Sequence, residues 1–163
     1  MAETLSVTDM LPNKFEPKRQ FRWVFAIEGI DAFLMKTSAR PQMAIAETII
    51  PFINAKRYLA GRLTFGDLSV TLHDPIAPSG AQQVMEWIRT HYESVSGRAG
   101  YADFYKRDIQ LKMLDPIGTV VELWDIKGCW IKDANFSTLT YDNDEAPVEI
   151  TLSLRMDNAV LQF

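Results

Sequence analysis

Cysteine and histidine are scarce in this chain of 163 residues, and their scarcity narrows the chemistry available to it. The single cysteine, Cys129, excludes an internal disulfide and suits a reducing compartment. It lies between Gly128 and Trp130 in an apolar stretch, which favours a buried structural thiol over a nucleophile. Of the two histidines, His73 and His91, the second falls on the apolar stripe of a predicted helix. A packed histidine is therefore favoured there over a general base.

The chain also lacks the motifs that hold phosphate, zinc or calcium. It contains no glycine-rich phosphate loop and no zinc-ligand spacing. Asp142, Asp144 and Glu145 resemble the start of a calcium loop, but Pro147 stands at the sixth loop position and Ser153 at the twelfth. A calcium loop needs glycine and glutamate at those places, so an ordinary acidic turn is favoured. The residues alone thus predict a soluble β-rich domain that is not an enzyme and needs neither cofactor nor metal.

An excess of basic charge and long apolar runs are missing as well. The net charge is −4, which argues against a tight nucleic-acid binder but allows a surface past which nucleic acid slides. No run of about 18 apolar residues occurs, so we expect no membrane span. Residues 1–20 are polar without an apolar centre, and we expect an extended arm there rather than a secretory signal. Residues 21–163 have the length and composition of a single globular domain.

Two stretches, 67–73 and 148–156, alternate strictly between apolar and polar residues. This period of two is typical of strands that bury one face and expose the other. The aliphatic side chains are predicted to enter the core. The opposite side carries small polar and acidic side chains: Asp67, Ser69, Thr71, Glu149, Thr151 and Ser153.

The other patterns predict seven to nine strands and one helix. Residues 21–27 and 32–38 are predicted to pair as a hairpin. Ser79, with Gln82 three residues later, predicts the start of a helix of about 16 residues that ends at Gly97. The expected fold class is mainly β, a barrel or sandwich with one flanking α-helix.

The second half of the chain is predicted to continue the sheet. A strand over 105–114 turns at 115–118 and returns over 119–126. It continues through a bulge at Gly128, and 135–141 forms another short strand. The expected core residues of the first pair are Leu111, Met113, Val121 and Leu123.

The segment 43–58 is rich in apolar residues yet irregular in pattern. Pro51 restricts it to an edge or a bend, and Ala60-Gly61 is typical of a turn. Such a segment either packs on its own core or docks on another subunit. The residues concerned include Ile45, Ile49, Ile50 and Phe52.

The stretch from Ala60 to Leu72, AGRLTFGDLSVTL, resembles the tail tube proteins of contractile-tailed (T4-like) bacteriophages. In that family a glycine-arginine-x-threonine-phenylalanine segment leads into a strand of the tube wall. Three further features fit: Asp74-Pro75 before a helix with Trp87, the run from 127 to 131 followed by Asn135-Phe136, and a terminal strand ending at 155–158. The resemblance extends from about residue 21 to the C-terminus.

The resemblance implies a structural virion protein. Members of the family form hexameric rings that stack into a hollow tube inside a contractile sheath, and double-stranded DNA leaves the virion through the channel without specific binding. Each subunit is a β-barrel or sandwich with a flanking helix, and its strands join a continuous barrel. The implied partners are other copies, the sheath, tape measure, baseplate and tail terminator proteins. The implied location is the virion tail, with assembly in the host cytoplasm.

Residue roles follow from the same resemblance. The polar residues of the two alternating strands would line the channel: Asp67, Ser69, Thr71, Glu149, Thr151 and Ser153. Their hydroxyl and acidic groups would repel DNA or stay neutral, whereas lysine or arginine would hold phosphates. The arm is a second candidate for ring stacking, beside segment 43–58. The residues expected at contacts between subunits or rings are Ile45, Ile49, Ile50, Phe52, Arg62, Phe65 and Arg155, the last in an inter-subunit ion pair.

Alternatives to a phage tail remain open on the sequence alone. A tube subunit of a type VI secretion system or of a phage-like contractile injection particle would share the same fold. A small hydrolase or binding domain built as a β-sandwich would carry its polar face as an ordinary outer surface.

Overall fold

In a computed structural model of the protein, residues 10–11, 14–142 and 145–163 are described. Part of the predicted arm, residues 1–9, 12 and 13, and two residues of the acidic turn, 143 and 144, lie outside them. The strands are β1 (Trp23–Ala26), β2 (Met35–Ser38), β3 (Met43–Phe52), β4 (Ala55–Phe65), β5 (Leu68–His73), β6 (Arg107–Leu114), β7 (Val120–Asn135), β8 (Glu149–Arg155) and β9 (Asn158–Leu161). The helices are α1 (Gly80–His91), α2 (Ala102–Tyr105) and a 3-10 turn at Ala32–Leu34.

Seven of these strands form one antiparallel sheet in the order β1-β6-β7-β8-β5-β2, with β9 also paired to β7. The long strand β7 pairs with β6 and β9 along its first part and with β8 along its last part. The sheet curls so that β1 and β2, at its two ends, line one cavity together through Trp23 and residues 36–38. The body is therefore a barrel with an open seam between β1 and β2, which agrees with the predicted mainly β class.

A continuous apolar core fills the barrel. The inward side chains of β5 and β8 are fully buried and pack with residues of β1, β6 and β7. Val84 and Trp87 of α1 enter the same core, so the helix covers the apolar side of β5 and β8. Ser79 caps α1 by accepting a hydrogen bond from the backbone N–H of Gln82, as the capping pattern predicts.

Four local predictions differ from the structure. Segments β1 and β2 do not pair with each other, because β1 pairs with β6 and β2 with β5. Helix α1 ends at His91, where Tyr92 turns to extended backbone, rather than at Gly97. Residues 136–141 form no strand. Strand β7 turns its acidic residue Glu122 inward, while Val121, an expected core residue, is 37% exposed. Alternation alone does not say which of two mixed faces meets the core.

The predicted bulge at Gly128 is confirmed. The register of β6 and β7 shifts between the pairs Arg107–Cys129 and Ile109–Ile126, so β7 carries an extra residue. Gly128 has a φ of 64°, and a Cβ there would lie 2.2 Å from a carboxylate oxygen of Asp157. No described helix is both long and apolar enough to cross a bilayer.

We expect Leu111→Ala and Val121→Ala to differ sharply in stability, although both side chains are core candidates by sequence. Leu111 is 2% exposed, so its truncation leaves a cavity and should cost about 2–5 kcal/mol of unfolding free energy. Val121→Ala is the matched control and should cost less than about 1 kcal/mol. Urea unfolding of both variants measures the difference, and equal losses would contradict the orientation of β7.

Candidate assembly surfaces

The polar sides of β5 and β8 form one continuous surface. Ser69 lies opposite Ser153, and Thr71 lies opposite Thr151, in an antiparallel pair. Directly opposite residues point to the same side of a sheet, so the polar residues of both strands share one side. We call this surface the polar face. It carries all the predicted channel residues: Asp67, Ser69, Thr71, Glu149, Thr151 and Ser153.

Both predicted carboxylates of the polar face are paired with cations of the same chain. Asp67 accepts hydrogen bonds from Lys132 at 2.6 Å and from Arg155 at 3.0 Å. These bonds, that of Lys132 first, hold the pKa of Asp67 below its ordinary value. Glu149 accepts a hydrogen bond from Lys36. The polar face is thus hydroxyl-rich, and two of its carboxylates, Asp67 and Glu149, are paired. A third, Asp133, lies opposite Ser153 and is exposed without an ion-pair partner among the described residues.

Arg155, which is expected in an inter-subunit ion pair, is paired with Asp67 inside the single chain, and its contact with another subunit stays a prediction. The cause of the pairing inside the chain is the strand register. Leu68 pairs with Leu154, so the next residues outward, Asp67 and Arg155, meet on the polar side. An arginine at the end of an alternating strand does not reveal from sequence which carboxylate lies across the ladder.

Two outer strands extend the polar face with residues that sequence patterns did not indicate. Thr37 of β2 lies opposite Thr71, and Asn135 of β7 lies opposite Thr151. The pairing of each outer strand contains a register shift, which breaks the simple alternation that sequence patterns rely on. A row of polar side chains therefore crosses four strands: Thr37, Thr71, Thr151 and Asn135.

Strands β3 and β4 form a separate two-stranded sheet, which we call the hairpin. β3 is exposed along its whole length, and β4 is exposed at all but its last residue, Phe65. Ten residues of β3 span about 33 Å at the usual rise of about 3.3 Å per residue. An isolated two-stranded sheet is marginally stable in water, and the described part of the chain leaves both strands of the hairpin exposed.

Apolar side chains occupy both faces of the hairpin. Ile45 and Ile49 lie on one face, opposite Leu63 and Tyr58. Ile50 and Phe52 lie on the other face. Their exposed fractions range from 39% for Ile50 to 64% for Ile45, so the alternative that they cover their own core is wrong. The predicted irregularity is wrong for residues 47–58, because unbroken pairs from Glu47–Ala60 to Phe52–Ala55 form a ladder whose one register shift lies between Ile45 and Glu47.

The base of the hairpin differs from the sequence expectation in its turn and at Phe65. Ala60-Gly61 is not a turn, because Gly61 lies inside β4 at a bulge, where a Cβ would approach the carbonyl oxygen of Ala46 to 3.0 Å. The chain turns instead at residues 53–54. Phe65 is half-buried and packs on the core of its own chain, whereas Arg62 is exposed at the bulge. The exposed part of the hairpin therefore ends before Phe65.

The part of the sheet that carries the polar face has unpaired edges on both sides. Among the described residues, β2 pairs only with β5. The last part of β7, residues 130–135, pairs only with β8. Open edges of this kind are templates for pairing with another chain.

Comparison with known proteins agrees with this geometry, although no family model matches the chain. Over 131 residues the chain is 27% identical to the tail tube protein gp19 of Enterobacteria phage T4, which covers 75% of this chain and 77% of that protein. The chain is similar to a phage tail tube protein. The resemblance drawn from residues 60–72 is thereby confirmed.

Solved structures show that the fold is shared over nearly the whole chain. The tube terminating cap of the anti-feeding prophage matches with a TM-score of 0.74 at 12% identity, covering 97% of this chain and 99% of that chain. The sheath/tube terminator of the PVC extracellular contractile injection system gives 0.73 at 10% identity, with 91% and 99% covered. A chain of the PVC sheath-tube complex gives 0.63 at 13% identity, with 98% and 99% covered. The predicted tube-like fold is confirmed.

Reactive groups have no catalytic setting in the described part of the chain. Burial raises the pKa of the Cys129 thiol to about 12, which leaves it protonated and poorly nucleophilic. His91 contacts Tyr105 edge-on, with ring centroids 4.4 Å apart, but it is exposed at the end of α1 rather than packed in the core. Within the described residues no group of His, Cys, Asp and Glu side chains is arranged to hold a metal ion.

One buried carboxylate ties the arm to the base of the hairpin. Glu122 of β7 is 5% exposed and accepts a hydrogen bond from the indole of Trp124 at 2.6 Å. It forms ion pairs with Lys18 of the arm and, at 3.6 Å, with Arg40, which lies between β2 and β3. Desolvation alone would raise the pKa of Glu122, but the hydrogen bonds from Lys18 and Trp124 outweigh it and lower the pKa.

We expect Glu122→Gln to destabilise the protein by about 1–3 kcal/mol at pH 7, because two cations lose their charged partner. The lowered pKa means that ionised Glu122 stabilises the fold above its unfolded-state pKa and loses that effect as the pH falls through its folded-state value. The difference between wild type and variant should therefore shrink on acidification. Urea unfolding at pH 7 and at about pH 3.5 measures it. Glu86→Gln, exposed on α1, is the control, and a pH-independent difference would contradict the ion-pair assignment.

Proposed function

We propose that this protein is the tube subunit of a contractile phage tail. Copies form hexameric rings, and the rings stack into the hollow tube that conducts DNA into the host. The observation that carries the proposal is the hairpin, a long two-stranded sheet whose apolar residues are left exposed by the described part of the chain. The likeness to a tail tube protein supports the same role. The role is structural, and the proposal requires no catalytic group.

The surfaces of the subunit suggest how it sits in a ring. The polar face would line the channel, because its side chains are mostly hydroxyl groups, from Thr37, Ser69, Thr71, Thr151 and Ser153. Helix α1, which covers the opposite side of β5 and β8, would then lie toward the outside. The free edges of β2 and of the last part of β7 would meet between neighbours, and head-to-tail contacts of this kind close a ring.

The character of the polar face suits the passage of a polyanion. Free lysine or arginine side chains would bind phosphates and slow the passage, each contact adding affinity that depends on salt. Here Lys36, Lys132 and Arg155 are held by Glu149 and Asp67. DNA would therefore meet mostly hydroxyl groups and cations that are already paired.

The partners follow from the assemblies in which similar folds occur. The solved relatives come from a sheath-tube complex, a baseplate and tube terminators of contractile particles. We infer that this chain likewise contacts a sheath, a baseplate protein and a terminator. A tape measure protein inside the channel, a location in the virion tail and assembly in the host cytoplasm complete the proposal.

A tube subunit of a non-phage contractile injection particle is the second candidate. The observation in its favour is that the matched solved folds belong to such particles. Within this candidate, a tube protein of the type VI kind differs in behaviour from a phage tube. Phage tubes co-assemble with a sheath, whereas tube proteins of the type VI kind are commonly isolated as free rings. Negative-stain images of the protein expressed with and without its sheath would separate these two.

We expect Ile50→Asp to block polymerisation without unfolding the subunit. The side chain is exposed in the single chain, so its replacement should cost less than about 1 kcal/mol of stability, while a buried contact between copies would lose its apolar surface and acquire a charge. Electron microscopy and sedimentation measure the assembly. Val95→Asp, 97% exposed in the loop after α1, is the control. Normal tubes with Ile50→Asp would refute a hairpin contact at this face.

We expect Thr151→Lys to slow DNA ejection while leaving tail assembly intact. A ring of six subunits would place six unpaired lysines in the channel, and the delay should lessen as salt screens them. Ser96→Lys, on the loop after α1, adds the same charge away from the polar face and should eject normally. Ejection is followed by DNA release from purified virions. Unchanged kinetics with Thr151→Lys would count against the channel assignment.

A further inference from the structure

The part of the arm next to the body, residues 14–20, is exposed at every position, and we call it the strap. Cavities flank the strap on both sides, one of about 250 Å³ toward Leu114 and Val121 and one of about 500 Å³ toward Trp23 and Met113. Lys18 lines both cavities. The strap therefore has little packing against the body.

One ion pair fastens the strap to the body. Among the described residues, the pair of Lys18 with Glu122 is the one side-chain bond that joins the two, since Arg19 pairs with Glu16 inside the strap at 3.8 Å. Lys18 donates its hydrogen bond to Oε2 of Glu122. Glu122 is 5% exposed, whereas the side chain of Lys18 is 49% exposed. The cation can therefore move into water, while the carboxylate stays buried and needs a partner.

The same carboxylate faces a second cation, which belongs to the root of the hairpin. We use this term for the linker 39–42, which joins β2 to β3. Backbone hydrogen bonds of 2.9 Å hold the root at both ends, at Ala39 and at Gln42. Between them, Nη1 of Arg40 lies 3.6 Å from Oε1 of Glu122. This distance permits an ion pair but is too long for a hydrogen bond.

The two cations compete for Glu122. Each oxygen of the carboxylate already accepts a hydrogen bond, Oε2 from Lys18 and Oε1 from the Trp124 indole at 2.6 Å. Two like charges beside one carboxylate also repel each other. If Lys18 leaves, Oε2 loses its donor and the buried charge loses its nearest cation. The guanidinium of Arg40 can replace both, because it presents several donors in a planar fork that matches a carboxylate.

We propose that Lys18 and Arg40 exchange at Glu122, so that release of the strap fixes the root of the hairpin. With the strap in place, Lys18 neutralises Glu122 and the root is held loosely at Arg40. With the strap withdrawn, Arg40 moves onto Glu122, and the larger cavity, which both cations line, gives it room. A molecule that draws the strap away from the body thus fixes the point at which the hairpin leaves it. The exchange is a property of the single chain and does not rest on the tube role.

A double-mutant cycle on the two cations tests this exchange. Arg40→Met should raise the unfolding equilibrium constant by a larger factor in the Lys18→Met background than in wild type, with an excess of about fivefold, because Arg40 is then the one cation at the buried carboxylate. In the Glu122→Gln background the excess should vanish, since the shared anion is gone. Urea unfolding measures all the variants. Lys14→Met removes the other lysine of the strap, which has no ion pair among the described residues, and as the matched control it should give no excess.

Amide hydrogen exchange at the root gives a readout that a merely stabilising ion pair would not produce. The backbone N–H groups of Ala39 and Gly66 are hydrogen-bonded at 2.9 Å at the two ends of the root, and their exchange reports its local opening. In Lys18→Met this exchange should slow by about threefold or more, although an ion pair has been lost. In Arg40→Met it should accelerate. Sedimentation verifies that all variants are compared in the same state of assembly.

Slower exchange at the root in Lys18→Met, together with the excess in the cycle, supports the exchange of partners. Equal effects of Arg40→Met in both backgrounds, or faster exchange at the root in Lys18→Met, would overturn it and leave two independent ion pairs. If Glu122→Gln does not fold, the cycle on the two cations and the exchange rates still decide the result. None of these measurements needs rings or tubes, so a failure here leaves the proposed function standing, and a failure of the tube role leaves this result standing.

Discussion

The pairing of β5 with β8 is the constraint on which the rest of the structure depends. Leu68, Val70 and Leu72 meet aliphatic partners in register and fill the core, while the alternate residues meet hydroxyl partners on the other side. A slip of one residue would exchange the two sides completely, placing hydroxyl groups in the core. Burial on one side therefore fixes the chemistry of the other, and the helix, the outer strands and the hairpin are all attached to this pair.

Because apolar and polar residues alternate strictly in β5 and β8, both strands and their buried and exposed sides could be predicted from the sequence. The tube-like fold could also be predicted, because the motif at residues 60–72 and the later tryptophan-bearing segments occur together. The limits lie where alternation breaks down. The register shifts in the pairing of β2 and of the last part of β7 concealed Thr37 and Asn135, and no local pattern indicates that Glu122 rather than Val121 turns inward. Glu122 forms its ion pairs with Lys18 and Arg40, which are distant from it in sequence, so no local pattern could indicate them.

The hairpin shows a different limit of sequence reasoning. Pro51 and the apolar run around it suggest irregular chain, since proline interrupts the ladder inside a sheet. In a two-stranded sheet, however, each strand has one side without a partner, and Pro51 can face that side while pairing with Lys56 on the other. The bulge at Gly61 accommodates the close approach of Ala46 and would be mistaken for a turn by any reading of dipeptides. A strand that packs on its own core alternates between apolar and polar residues, whereas the hairpin has apolar residues on both faces.

The exposed hairpin also has a consequence for the life of the free subunit. The free chain exposes a two-stranded sheet about 33 Å long with apolar side chains on both faces. These faces and the open strand edges favour disordered association, which increases with the concentration of the free subunit. In the proposed tube, incorporation of each subunit would cover the ten residues of β3 and the eleven of β4 that expose this apolar surface in the free chain.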